Sequence, residues 1–252
     1  MPKFISTLIV IAALCLIALW ISPNGGSPLD RRDRTLKQPQ AELPQYKEVI
    51  AGIERRRVSL AAGLRESRTP TERSEILEEG RRLLLNALSR DLPAHWVGTP
   101  WDFNGTSESP GEGQIACGYF VSTLLRDAGF GVERVRLAQQ PSANIIRTLA
   151  VGGNITRMIG DPFAEFSSAL RASGTGVYLV GLDRHVGLIA QTREGAAFIH
   201  SDGGREKCVI VEPVEDSRSL RRSRWREFAN LSDDDELIQN WLLGRPFPTA
   251  IR

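Results

Sequence analysis

The spacing of apolar positions divides the chain into blocks with different periods. From Phe4 to Ile21 only Ser6 and Thr7 interrupt an apolar run. Eighteen residues of helix rise about 27 Å, close to the hydrocarbon thickness of a bilayer. Residues 1–22 therefore predict a secretory signal or an uncleaved membrane anchor. The anchor is preferred, because no clean Ala-x-Ala site precedes Ser22-Pro23-Asn24-Gly25-Gly26. Residues 23–45, rich in Pro, Gly, Gln and charge, read as an exposed linker. Between Tyr46 and Arg65, Val49, Ile50, Ile53, Val58, Leu60, Ala61 and Leu64 recur at the spacing of one helical face. Thr69-Pro70-Thr71-Glu72 then supplies an N-cap, a first-turn proline and a capping-box glutamate. The helix it opens carries apolar positions from Ile76 to Leu88 and ends before Pro93. A helical region over residues 46–92 is expected, as a spacer or a flap over a site.

Beyond Pro93 the pattern changes. Cys117 to Ala128 is apolar at helical spacing and stops at Gly129. Pro141 to Leu149 and Pro162 to Leu170 predict two further short helices. Residues 177–182, 185–191, 196–201 and 207–211 alternate or run β-branched, with turns at Glu194-Gly195 and Gly203-Gly204. Helices first and strands after them predict an α+β domain over residues 93–215. Residues 216–252 read as a C-terminal helical extension, with an acidic-capped helix from Ser232 through Trp241.

Composition narrows the function. Lys+Arg 32 against Asp+Glu 30 gives a formal net charge of +2, too balanced for a dedicated nucleic-acid binder. Hydrophobic content of 41% with 25% charged excludes disorder over the whole chain. Three cysteines, Cys15, Cys117 and Cys208, exclude a disulfide scaffold and a four-cysteine zinc site. Neither a metal nor an organic cofactor is implied. Arg31, Arg32, Arg34 and Lys37 follow the apolar run, and the positive-inside tendency alone would keep the following domain in the cytoplasm. The chemistry below argues instead for export, with the domain on the periplasmic or extracellular side and tethered through residues 4–21. The arginines at 218, 221, 222, 224 and 226 form the densest basic cluster, either a solvated helix face or a contact for an anionic polymer or lipid head groups.

Cys117 opens its helix directly after Gly111-Glu112-Gly113-Gln114-Ile115-Ala116. A thiol at a helix N-terminus sits in the positive end of the dipole, which lowers its pKa, and the free N–H groups there suit an oxyanion. A cysteine nucleophile also needs a base, and the base an orienting group. His185 begins one expected strand and His200 ends the next, so a hairpin brings the two imidazoles side by side. Each residue also has a plain alternative: Cys117 as a small core residue, His185 as a strand-start residue, His200 as a turn residue, and His95 as a packing residue beside Trp96.

The segment Trp96-Val97-Gly98-Thr99-Pro100-Trp101-Asp102-Phe103-Asn104-Gly105 resembles the first motif of the NlpC/P60 cell-wall peptidases. Ala116-Cys117-Gly118-Tyr119-Phe120-Val121 resembles that family's nucleophile helix. His185-Val186-Gly187-Leu188-Ile189 and Phe198-Ile199-His200-Ser201 resemble its histidine motifs. The likeness covers residues 96–211 and implies a papain-like α+β fold, with a helix presenting the cysteine against a small antiparallel sheet. It implies Cys117 as nucleophile, His185 as general base and acid, and His200 as the orienting third residue, with Asp202 its nearest competitor. The expected partner is peptidoglycan or a related peptide. Trp101, Ala116 and Gly118 stand where typical members carry tyrosine, aspartate and serine, the last two reading the free amine of the stem peptide. These three positions are the expected substrate-binding residues, and the departures imply that the amino end is read differently or not at all. Asp102 or Glu112 is a candidate replacement carboxylate. The same departures keep open an amidase or acyltransferase acting on lipid or protein. A non-catalytic binding module is the remaining rival.

Overall fold

The computed structural model describes residues 44–251. The expected membrane span at residues 4–21 and most of the linker at 23–45 lie outside these. Among the described residues no helix is long and apolar enough to cross a membrane.

The chain is a mixed α+β structure. α1 (Tyr46–Glu66) and α2 (Pro70–Asn86) come first, and a π-helical turn at Ala87–Asp91 prolongs α2. The capping box is formed as the sequence predicts: Thr69 accepts from Glu72 N–H, and the Glu72 carboxylate accepts from Thr69 N–H. After α3 (Pro93–Trp96) come α4 (Cys117–Asp127), α5 (Arg134–Ala138), α6 (Ser142–Leu149), β1 (Thr156–Ile159) and α7 (Phe163–Ala172). β2 (Gly176–Leu182), β3 (His185–Gln191), β4 (Ala196–Ser201) and β5 (Val209–Pro213) follow. The chain ends with α8 (Arg218–Arg222), β6 (Trp225–Asn230) and α9 (Asp235–Leu242). One antiparallel sheet of six strands runs in the order β1-β6-β2-β3-β4-β5.

Each face of the sheet has its own core. Leu179, Val186, Leu188 and Ile199 face Phe120, Val121 and Leu124 of α4 together with Ile145 and Leu149 of α6. On the opposite face Tyr178, Val180, Ile189, Phe198 and Phe228 meet Phe166 and Leu170 of α7 and Leu220 of α8. β2 is buried at all seven positions, which accounts for its unbroken apolar run.

Two expectations for the flanks are corrected. Residues 216–252 are not a helical extension, because β6 lies inside the sheet between β1 and β2, and α9 buries Leu237, Ile238, Trp241 and Leu242 in the first core. The polar residues of Trp-Arg-Glu-Phe-Ala-Asn hid that strand: Arg226 and Glu227 are themselves buried, at 2% and 0% exposure. The region 46–92 is neither spacer nor flap. Leu64, Leu77, Leu83 and Leu84 belong to the same core as α4. Tyr46 Oη donates to Asp127 at 2.7 Å and accepts from Trp96 Nε1 at 2.9 Å, fastening α1 to α4.

Candidate active site

Cys117 is placed by the irregular segment before it. Ile115 N–H donates to Pro100 O (2.9 Å), Ala116 N–H to Gly105 O (2.9 Å), and Ser201 Oγ to Ile115 O (2.7 Å). These bonds tie the start of α4 to β4 and to residues 100–105. The N-cap residue, Ala116, has no side-chain acceptor to claim the first-turn amides of α4. The N–H groups of Val186, Gly118 and Cys117 itself favour the thiolate, yet burial outweighs them and pushes the Cys117 thiol up. This reverses the expectation of a lowered pKa: desolvation of the partly buried thiol exceeds what the helix terminus supplies.

The histidines form the expected pair. His185 Nε2 and His200 Nδ1 are 2.8 Å apart. Gly187 makes room for this: a Cβ there would meet the Phe198 ring at 2.7 Å and His200 Cβ at 2.9 Å. His200 is 1% exposed and stacks on Phe198 at 4.1 Å between ring centroids. Its Nε2 lies 3.2 Å from Glu212 Oε1. Burial pushes His185 down to about 3; the His200 charge adds to this and Asp202 opposes it. The resting pair is therefore a neutral thiol and a neutral imidazole.

Cys117 and His185 line one cleft of about 560 Å³, together with Gly118, Ala138, Ser142, Arg184, Val186 and Trp225. Alternation along β3 turns Val186 towards α4, and His185 and Gly187 towards the Phe198 side. Thiol and imidazole thus line one cleft at the open start of β3 but approach it from opposite faces of the sheet, and no hydrogen bond joins them. At the same rim the exposed Asp183 carboxylate is held below its ordinary value: partial desolvation pushes it up, but hydrogen bonds from Ser223 Oγ and the N–H groups of Arg224 and Trp225 outweigh this.

Other expected site residues fall elsewhere. Asp202 accepts from the N–H groups of Gly204 and Glu206, both at 2.9 Å, so its carboxylate serves the β4–β5 turn and His200 is the residue bonded to His185. Trp101 lies over Gly203 with Lys207 Nζ 4.4 Å from its ring, and is not among the cleft-lining residues. Ala116 does not line the cleft either. Gly118 does, and a Cβ there would stand 2.3 Å from Ala138 O. Asp102 caps its own loop through Asn104 N–H. Cys117 and Cys208 are both free thiols. Arg226 is no surface charge, since it donates to the carbonyls of Leu220, Asp161 and Arg221. Among the described residues no cluster of His, Cys, Asp and Glu is arranged to hold a metal.

Glu212 escaped the sequence reading. It sits on the same face of β5 as Ile210, the cross-strand partner of His200, but that register depends on the conformation of residues 202–208. The chain matches no family model, no curated protein and no solved structure.

Proposed function

We propose that the protein is a cysteine hydrolase of NlpC/P60 type, papain-like in fold, cutting an amide bond in peptidoglycan stem peptides or a related peptide. The observation that carries this reading is the cleft shared by Cys117, at the N-terminus of α4, and His185, which is backed by His200. Since both groups rest neutral, the thiol is deprotonated as it attacks. The S–H proton passes to His185 while sulfur bonds to the acyl carbon. The N–H groups at the start of α4 receive the oxyanion. His185 then returns the proton to the leaving amine, and water, deprotonated by His185, releases the acyl group. An exported domain tethered through residues 4–21 fits such a substrate.

Two observations favour rival readings. The positions that read a free amine in the resembling family are Ala116 and Gly118, which suits an amidase or acyltransferase acting on lipid or protein. The raised thiol, unbonded to His185, suits a binding module that has kept the fold.

The test is incubation of the full-length protein with purified stem peptides, free and N-acetylated, followed by mass spectrometry. Fragment release that Cys117→Ala abolishes, tolerant of the blocked amine, is expected. Strict dependence on the free amine overturns the altered-recognition part. No product, with equal iodoacetamide alkylation of Cys117 in wild type and His185→Ala, overturns the hydrolase.

A further inference from the structure

A carboxylate stands behind the two histidines. Glu212 Oε1 is 3.2 Å from His200 Nε2, and the other nitrogen of that ring, Nδ1, is 2.8 Å from His185 Nε2. An ionised carboxylate only accepts hydrogen bonds, and a neutral imidazole carries one N–H and one bare nitrogen. With Glu212 as acceptor and one proton on the His200 ring, that proton sits on Nε2, facing Glu212, and Nδ1 is bare. Bare Nδ1 can only accept, so His185 donates through Nε2–H. Its one proton spent there, His185 keeps a bare Nδ1, which has no hydrogen-bond partner among the described residues. Reversing the first proton reverses both rings: His185 would then hold its proton on Nδ1 and could take none from a thiol.

We infer that Glu212 is a positioning residue that acts through His200 to hold His185 as the Nε2–H tautomer, leaving Nδ1 bare to accept a proton. The last step rests on the cysteine-hydrolase reading, whereas the tautomer itself does not. Glu212 is free for this role, having no other ion pair or side-chain hydrogen bond among the described residues. Asp202, the other nearby acid, serves its own turn. Packing leaves His200 little choice, since its ring is clamped on Phe198 and 1% exposed.

The chain has three histidines, so ¹⁵N-histidine labelling of the full-length protein resolves the relay, with His95 as the ring outside it. At neutral pH, pyrrole-type Nε2 and pyridine-type Nδ1 are expected on both His185 and His200. Glu212→Leu is expected to mix the tautomers of both rings together and to slow Cys117 acylation about tenfold. Glu212→Gln, which keeps an oxygen acceptor of the same reach and tests the role should the leucine variant misfold, is expected to restore the wild-type pattern in part. Wild-type tautomers that persist in both variants overturn the inference, and so does a wild-type His200 protonated on both nitrogens. The spectra require neither substrate nor turnover, so a failed hydrolase assay leaves this result standing on its own.

Discussion

Gly118 and Ala138 approach so closely that the carbonyl oxygen of α5 occupies the space a side chain on α4 would fill, 2.3 Å from a Cβ built on Gly118. The obstacle is backbone, which cannot rotate away as a flexible side chain would. The docking of α5 on α4 therefore leaves no room for a side chain beside the cysteine. Gly118→Ser is expected to cost about 3 kcal/mol or more, read as a lowered urea midpoint. A variant as stable as wild type would show that α5 yields easily.

Ala116 presents the opposite case. Its φ of −77° and ψ of 158° are those of an N-cap, but its side chain accepts nothing. Ala116→Asp is expected to add about 1 kcal/mol of stability by capping α4. The added negative charge should also raise the Cys117 pKa further, so alkylation at a fixed pH slows although the fold is firmer. Urea unfolding and iodoacetamide kinetics on the same protein check both halves.

Gly187 tests whether the histidine pair matters more to chemistry than to folding. Gly187→Ala places a methyl group 2.9 Å from His200 Cβ and 2.7 Å from the Phe198 ring. Displacing His200 should break its bond to His185 and lower turnover at least tenfold, for a stability cost of about 1–3 kcal/mol. Unchanged turnover would count against any role for the pair.

His185 sets a pH dependence of folding. Its ring stays neutral in the folded chain down to about 3, whereas the unfolded chain takes up a proton below the ordinary value of 6.5. Between those values the unfolded state binds more protons, so stability falls as the pH drops. Urea midpoints from pH 7 to pH 4 should decline more steeply in wild type than in His185→Gln. Equal slopes would mean that the folded protein accommodates the imidazolium.

The arginine cluster divides by burial. Arg226 is 2% exposed and donates to three backbone carbonyls, while Arg222 is exposed. Arg226→Met leaves those carbonyls without their donor and should cost about 3 kcal/mol, against less than about 0.5 kcal/mol for Arg222→Ala. Thermal unfolding of the two variants separates a structural strut from a solvated charge.

Local pattern sufficed for what depends on neighbours in sequence. The capping box of α2, the start of α4 at Cys117, β2 to β4 and the hairpin that pairs His185 with His200 all follow from periods of 3.6 or 2 and from turn residues. Such signals carry no information on what a face packs against. β6 joined the sheet against its polar composition, because Arg226 found backbone carbonyls and Glu227 the half-exposed Arg157, partners that no local rule supplies. Glu212 became the partner of His200 through the register of a loop-closed hairpin. Cys117 kept its predicted place on the helix, yet its acidity reversed, since a helix terminus is read from sequence whereas desolvation is set by everything packed around it.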